Sequence, residues 1–271
     1  MVVLAFKVFY DGTLFSGFSG GFGSVEYYLR RALSYYLGGD YRLSKASRTD
    51  PGVSAVGNVV SVVTNGDAEL VPGMLNSRLP RGIRVWASAR VGDDFNARRA
   101  SSRTYVYLAP WGGEDVGVMA RGARLFIGTH DLVNFQVRER GVPTRVTIMD
   151  LSVSRVGDLL VFRVVGRGFR NKMIRKIVNA LLMLGNGSLT LDVLEGLINN
   201  SVSMPIPPAP PHGLFLLRVD YGEREPRWVV DLGSIIDIIN FVKNRLLYLS
   251  MSLSTTMMIY QEFVGLVNVF M

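Results

Sequence analysis

The chain has 271 residues, 48% of them hydrophobic, and a formal net charge of +8. This length and composition predict one large or two medium globular domains and exclude a disordered protein. The chain contains no cysteine and two histidines. The composition therefore excludes a disulfide scaffold, a thiol nucleophile and a thiolate metal site, and it disfavours a histidine-rich metal site.

Arginine supplies most of the positive charge, since 30 residues are basic and five of these are lysine. The planar guanidinium group suits bidentate contacts with phosphate, so we expect a polyanionic partner. Clustering strengthens this expectation, which net charge alone supports weakly. Between Asp158 and Asp192 there is no acidic residue, but there are six basic ones: Arg163, Arg167, Arg170, Lys172, Arg175 and Lys176.

The two ends of the chain carry no recognisable targeting or membrane segment. The first residues lack a basic stretch followed by a long apolar one, as a signal peptide would have. The uncharged stretch over residues 246–261 is shorter than a membrane span and contains several Ser and Thr residues. We therefore expect a cytoplasmic protein without a membrane partner.

In chain order, residues 2–10 are rich in Val and Phe and predict a strand. A glycine-rich segment follows over residues 14–23, and a helix is predicted over residues 24–37 with Ser24 as its N-cap. A strand, a glycine-rich loop and a helix in succession would suit a nucleotide-binding site. The glycine spacing differs from G-x-G-x-x-G and no P-loop lysine follows, so a mobile loop is the simpler interpretation.

A Pro-Gly pair follows residues 41–46 and precedes a predicted strand over residues 56–64. Pro51 and Gly52 fit the central positions of a type II turn, because proline fixes one φ and glycine accepts a positive one. Asp50 stands at the edge of this turn, with Arg48 two residues before it. An arginine close to a carboxylate favours its ionised form. The pattern suits a poised nucleophile or base, and equally a structural ion pair.

The rest of the first part predicts a short helix over residues 70–79 and a strand over residues 83–91. Strands alternate here with helices, which indicates an α+β layer with helices on one face. We place a domain boundary near Asp93 and Asp94. The expected domains are residues 1–93, with the Asp50 turn, and residues 94–271, with a C-terminal helical extension.

The second part opens with a basic segment that leads into a strand. Arg98, Arg99 and Arg103 are candidate phosphate contacts. Tyr105 and Tyr107 lie on one side of the strand, so that one can pack in the core while the other reaches a cleft. A short helix over residues 113–122 and strands over residues 142–154 and 159–165 follow.

A basic helix is predicted over residues 170–184, with apolar residues at helical spacing and Gly185 at its end. Arg175 lies at the boundary of the apolar face, from which its guanidinium can reach a cleft while its stem packs. Beyond it, the sequence predicts a helix over residues 191–199 and a strand from Leu214. Two further helices are predicted over residues 234–270, packing on the second domain or at a dimer contact.

Several segments resemble the tRNA pseudouridine synthases of the TruA family. S-R-T-D-P-G-V-S-A around Asp50 is similar to that family's G/S-R-T-D-x-G-V-x-A signature. Four more segments resemble family motifs in the family's order: F-Y-D-G-T-L-F-S-G-F, F-N-A-R-R-A-S-S-R-T-Y-V-Y, G-F-R-N-K-M-I-R-K-I-V-N and P-A-P-P-H-G-L-F-L-L-R-V. Together they cover residues 1–221, and the resemblance fades beyond Tyr221.

The resemblance implies the pseudouridine synthase fold, with two mixed α/β subdomains, largely antiparallel sheets and a cleft between them. It implies isomerisation of uridine in the anticodon stem-loop of tRNA at positions 38–40, by a homodimer. Asp50 would be the nucleophile, Tyr105 would stack on the target base, and Arg175 would pair with Asp50. Leu214 would line the base pocket. The implied RNA contacts are Arg48, Arg98, Arg99, Arg103, Arg167, Arg170 and Lys172.

The implied reaction needs no metal, nucleotide or redox cofactor. An RNA-binding module that keeps the fold and charge without the reaction is an alternative, and Asp50 would then be dispensable. A glycine-loop enzyme that binds a nucleotide is a second alternative.

Overall fold

The computed structural model of the protein describes residues 1–65, 69–138 and 141–270, with the side chains of residues 260 and 262–270 outside this description. These residues form ten strands and six α-helices. The strands are β1 (Val2–Tyr10), β2 (Tyr41–Lys45), β3 (Ser54–Thr64), β4 (Ile83–Val91), β5 (Ser102–Pro110), β6 (Gly128–Asp131), β7 (Arg145–Val156), β8 (Leu159–Gly166), β9 (Leu214–Asp220) and β10 (Val229–Val230). The helices are α1 (Val25–Leu37), α2 (Pro72–Asn76), α3 (Val116–Leu125), α4 (Met173–Gly185), α5 (Leu191–Ile198) and α6 (Leu232–Phe270).

All ten strands belong to one sheet in the order β10-β4-β1-β3-β9-β5-β8-β7-β6, with β2 also paired to β3. Paired strands run antiparallel, except that β3 and β9 are parallel where Ser54 faces Phe215 and Ala55 faces Leu216. The predicted α+β architecture with largely antiparallel strands is confirmed. The β3–β9 pairing joins the strands of the two halves, and the division at residue 93 stays a prediction.

Apolar strand residues and one face of each longer helix form the core. Every residue of β1 except Lys7 is buried. Helix α1 contributes Leu29 and Leu33, and α4 contributes Ile177 and Leu181. These side chains belong to one continuous cluster of buried residues. The apolar stripe at helical spacing therefore predicted the buried face of α4 correctly.

Residue chemistry explains where three helices begin. The Tyr27 N–H donates to Ser24 Oγ at 3.2 Å, so Ser24 caps α1 as predicted. Helix α2 begins at Pro72, whose missing N–H is tolerated in the first turn, and it spans less than the predicted residues 70–79. Helix α4 begins at Met173, three residues later than predicted, because Lys172 has a left-handed φ of 59°.

The C-terminal segment is a single helix of 39 residues, α6, so the prediction of two helices is wrong. Its small polar residues do not interrupt the helix, since their hydroxyls hydrogen-bond within it. Ser250 donates to the carbonyl oxygen of Leu247, three residues earlier, at 2.9 Å. Thr255 and Thr256 donate to carbonyl oxygens four residues earlier.

Helix α6 packs on the first part of the chain, so its predicted placement on the second domain is also wrong. Asn76 of α2 donates to Ser234 Oγ at 2.7 Å, and the rings of Phe9 and Phe241 meet with centroids 6.1 Å apart. Its second half carries exposed apolar side chains such as Met251. A dimer contact there stays a prediction. In the described part of the chain, no helix is both long and apolar enough to cross a membrane.

Candidate active site

The turn predicted at Pro51-Gly52 presents Asp50. The Val53 N–H donates to the Asp50 carbonyl oxygen at 3.1 Å, and Gly52 has a φ of 87°, as the second central residue of a type II turn requires. The Gly52 N–H donates to the carbonyl oxygen of Gly12 at 3.1 Å. The turn is therefore held both by its own hydrogen bond and by the segment that follows β1.

The glycine-rich segment lies against this turn. A Cβ atom on Gly12 would stand 2.0 Å from the carbonyl oxygen of Val53, so a larger residue cannot occupy this position. Gly17 has a φ of 95° and backs onto Pro51, and the Phe18 N–H donates to the Thr49 carbonyl oxygen at 3.0 Å. Close backbone approach accounts for these glycines, rather than a nucleotide-binding loop.

Asp50 forms an ion pair with Arg175 at the start of α4. Arg175 Nη1 lies 2.7 Å from Asp50 Oδ2, and the two side chains are 11% and 24% exposed, respectively. Arg175 Nε donates to the Ala209 carbonyl oxygen at 2.7 Å, which fixes the guanidinium between the two partners. Arg48, which precedes the turn, is exposed and lines the same cavity. The carboxylate is thus oriented by a residue 125 positions away.

Tyr105 lies beside this ion pair and is buried. Its hydroxyl hydrogen-bonds Ser47 Oγ, and its ring meets the Phe169 ring edge-on, with centroids 5.5 Å apart. Burial raises the pKa of the Tyr105 phenol, while the Ser47 hydrogen bond and the charge of Arg103 act in the opposite direction. The phenol is therefore neutral at physiological pH. Tyr107, on the same side of β5, is buried against Phe162.

A buried polar network that the sequence did not predict anchors the segment before Asp50. Tyr10 and Thr49 share a hydrogen bond of 2.8 Å, and burial raises the pKa of the Tyr10 phenol. Asn58 donates to the Ser47 carbonyl oxygen at 3.0 Å and to Tyr10 Oη at 3.3 Å. A lone Asn in the apolar run of β3 was the available signal, because buried polar side chains need partners.

Asp50 opens into a cavity of about 770 Å³ with a strongly basic lining. Among the described residues that line it, Asp50 is the only acidic one, while Tyr105 and Leu214 provide apolar surface. Arg99 lies outside this cavity and lines a neighbouring one of about 360 Å³. The basic residues that line the larger cavity are Lys45, Arg48, Arg98, Arg103, Arg167, Arg170, Lys172 and Arg175.

The basic residues differ in what their charges contact. Arg48, Arg98, Arg167 and Lys172 are exposed. Arg170 Nε donates to the Pro143 carbonyl oxygen at 2.7 Å. Lys45, which the sequence reasoning missed, pairs with Glu26. The exposed side chains are free to meet an anion in the cavity, and their predicted contacts with RNA stay predictions.

Arg103 is instead buried beneath the cavity, with 7% of its surface exposed. Its guanidinium donates five hydrogen bonds to backbone carbonyl oxygens, those of Ala46 (twice), Arg98, Ala100 and Arg167. Burial lowers the pKa of the Arg103 guanidinium. These bonds tie together the segments around Ala46, Arg98 and Arg167, so the geometry favours a structural role over the predicted phosphate contact.

In the described residues, no three His, Asp or Glu side chains form a group that could hold a metal ion. The arrangement instead offers one carboxylate, an arginine bound to it, a neutral phenol and a basic surface around them. In such a site the carboxylate can attack an electrophilic carbon or assist a reaction there, while the basic surface binds a polyanion. On a mostly antiparallel α+β fold, this arrangement agrees with the class that the motifs resemble, the pseudouridine synthases, which isomerise uridine in RNA.

Comparison with known proteins gives the family. A family model described as tRNA pseudouridine synthase matches residues 123–222. A protein named tRNA pseudouridine synthase A from Pyrobaculum neutrophilum is 48% identical to this chain, over 80% of this chain and 82% of that protein. A protein of the same name from Pyrococcus abyssi is 36% identical, over 80% of this chain and 84% of that protein. The chain belongs to the tRNA pseudouridine synthase A family, as its motifs predicted, and is an isomerase with the pseudouridine synthase fold.

A solved structure described as a Cbf5-Nop10-Gar1 complex is 15% identical to the chain, with a TM-score of 0.35. The match covers 66% of this chain and 45% of that one. A similarity at this level supports no inference about the site.

Proposed function

We propose that the protein converts uridine to pseudouridine in the anticodon stem-loop of tRNA, at positions 38–40, with Asp50 as its nucleophile. The observation that carries the proposal is the Asp50–Arg175 ion pair at the base of a basic cavity. The family assignment supports the reaction and the tRNA substrate. The positions within tRNA rest on the motif resemblance.

The reaction breaks the N1–C1′ bond of a uridine, turns the freed uracil and joins it to C1′ through C5. The proton on C5 is lost and N1 gains one, so atoms balance without a cofactor. A uridine inside a stem or loop has to leave the stack before an enzyme reaches these atoms. The site therefore needs a pocket for an extruded nucleotide, a carboxylate beside it and cations along the RNA backbone.

Asp50 suits the carboxylate role because only one of its oxygens is engaged. Oδ2 accepts a hydrogen bond from Arg175, while Oδ1 accepts none from the described residues. Arg175 compensates the negative charge and fixes the plane of the carboxylate. A preorganised group of this kind reacts without first reorienting, which is a large part of what enzymes contribute to rate.

Tyr105 and Leu214 would hold the extruded base, and the exposed cations would bind phosphates of the RNA backbone. Aromatic rings stack on bases with a gain of about 1–3 kcal/mol per base. The first residues of α4 also line the cavity, so the positive end of the helix dipole faces an incoming phosphate. Besides the buried Arg103, five cavity cations form no ion pair with described residues: Arg48, Arg98, Arg167, Arg170 and Lys172.

We further propose that the protein works as a homodimer whose tRNA-binding cleft is shared, as the motif resemblance implies. A tRNA substrate would place the enzyme in the cytoplasm. Gel filtration with and without tRNA tests the assembly, and a monomer that still modifies tRNA would contradict the shared cleft.

Tritium release from tRNA transcripts labelled at uridine C5 tests the substrate position. One transcript keeps uridine at positions 38–40 and carries cytidine at the other unpaired positions, and a second transcript has cytidine at 38–40 only. We expect release from the first and none from the second. Equal release from both would overturn the positional assignment while leaving the isomerase activity intact.

A further inference from the structure

One face of α6 follows the sheet toward the active site. Asp237, Phe241 and Arg245 are spaced four residues apart and so lie on one side of the helix. Asp237 lies 3.6 Å from Arg84, Phe241 packs on Phe9, and Arg245 reaches beyond the end of β1. Along α6, the described contacts thus run from β4 through β1 to the segment that follows Tyr10.

Arg245 binds the Asp11-Gly12-Thr13 segment through two polar groups. Its Nε lies 3.1 Å from Asp11 Oδ2, and its Nη2 donates to Thr13 Oγ1 at 3.2 Å. Asp11 Oδ1 accepts from the Thr13 N–H at 3.0 Å and from the Thr13 hydroxyl at 2.6 Å. The side chains of Arg245 and Asp11 are 27% and 16% exposed, so water screens this cluster only in part.

Gly12, between these two residues, touches the turn that presents Asp50. Its carbonyl oxygen accepts from the Gly52 N–H at 3.1 Å, and its N–H donates to Ser54 Oγ at 3.0 Å. Because a Cβ atom at Gly12 would overlap the Val53 carbonyl, the two backbones are in direct contact. A shift of the Asp11–Thr13 segment is therefore passed on to the turn.

We propose that Arg245 is a positioning residue for the Asp50 turn, acting through Asp11, Gly12 and Thr13. The proposal rests on the proposed function of Asp50. Helix α6 lies outside the segment matched by the family model. It nevertheless supports the Asp50 turn through the Asp11-Gly12-Thr13 segment. The role of Arg245 is to keep the Asp50 carboxylate at a fixed distance from the extruded uridine.

Arg245→Ala should lower kcat for tritium release about tenfold while KM for tRNA stays within about twofold, because displacements of about 1 Å can cost a hundredfold in rate. Arg245→Lys, which keeps a donor near Asp11, should recover part of the loss. The matched control is Asp237→Asn, which removes the ion pair between α6 and Arg84 of β4 without touching Asp11. It should leave kcat unchanged.

Thermal melting of each variant separates positioning from folding. If Arg245→Ala does not fold, Arg245→Met keeps the apolar stem, removes both polar contacts of Arg245 and leaves the Thr13–Asp11 hydrogen bond, so its kcat decides the same question. Equal losses of kcat in Arg245→Ala and Asp237→Asn, or a loss confined to KM, would overturn the positioning role. No release by the wild-type protein would instead overturn the proposed function, and the positioning role with it.

Discussion

Arg103 gives the sharpest test of how the basic residues divide between structure and binding. Arg103→Lys keeps the charge but has three donors where the guanidinium makes five hydrogen bonds to carbonyl oxygens. At least two bonds are lost. Each hydrogen bond to a charged group contributes about 1.5–3 kcal/mol, so the free energy of unfolding should fall by about 3–6 kcal/mol. In a chain of this size the melting temperature should then drop by roughly 6–24 °C.

Thermal unfolding followed by circular dichroism measures this drop, and tRNA affinity is measured well below the transition. The control is Arg98→Lys, an exposed residue that lines the same cavity, whose melting temperature should stay close to that of wild type. A melting temperature for Arg103→Lys that matches wild type, together with weaker tRNA binding, would refute the structural role and restore the phosphate contact.

Three further outcomes are expected. Burial raises the pKa of the Tyr10, Tyr105 and Tyr221 phenols. The stability that these neutral phenols contribute is therefore complete below the unfolded tyrosine pKa of about 10 and is lost as the pH rises above it. A melting temperature that stays constant up to about pH 11 would contradict this. Lys172→Gly relieves a left-handed backbone strain of about 1–2 kcal/mol. It should therefore weaken tRNA binding without lowering the melting temperature, whereas Lys176→Gly, inside α4, should lower the melting temperature. Apart from the buried Arg103, five cavity cations lie outside ion pairs, which predicts a slope of about −4 for log affinity against log salt. A slope shallower than about −1 would contradict their role in binding phosphate.

Residue patterns over a few neighbouring positions predicted several strands, caps and turns correctly. The Val-rich run of β1, the Ser24 cap and the type II turn at Pro51-Gly52 all follow from residue preferences over a few positions. Two helices were predicted over residues 234–270, but α6 is one continuous helix, and its Ser and Thr hydroxyls bond to carbonyl oxygens within it.

The site itself depends on contacts that no local pattern contains. Arg175 meets Asp50 across 125 residues, and Arg245 meets Asp11 across 234. The motif resemblance indicated the first pair and gave no sign of the second. Sequence also cannot distinguish the buried guanidinium of Arg103 from the exposed one of Arg98, because both lie in one basic segment and only the packed fold separates them.

The most direct test of the account is single-turnover tritium release from C5-labelled tRNA by wild type and Asp50→Asn. Asparagine keeps the size of the side chain and removes its charge and nucleophilic oxygen. We predict that Asp50→Asn binds tRNA within about threefold of wild type and releases no tritium above background, since Arg175 and the cavity cations remain while the nucleophile is lost. Release by Asp50→Asn at a rate near that of wild type would contradict the assignment of Asp50 as the nucleophile.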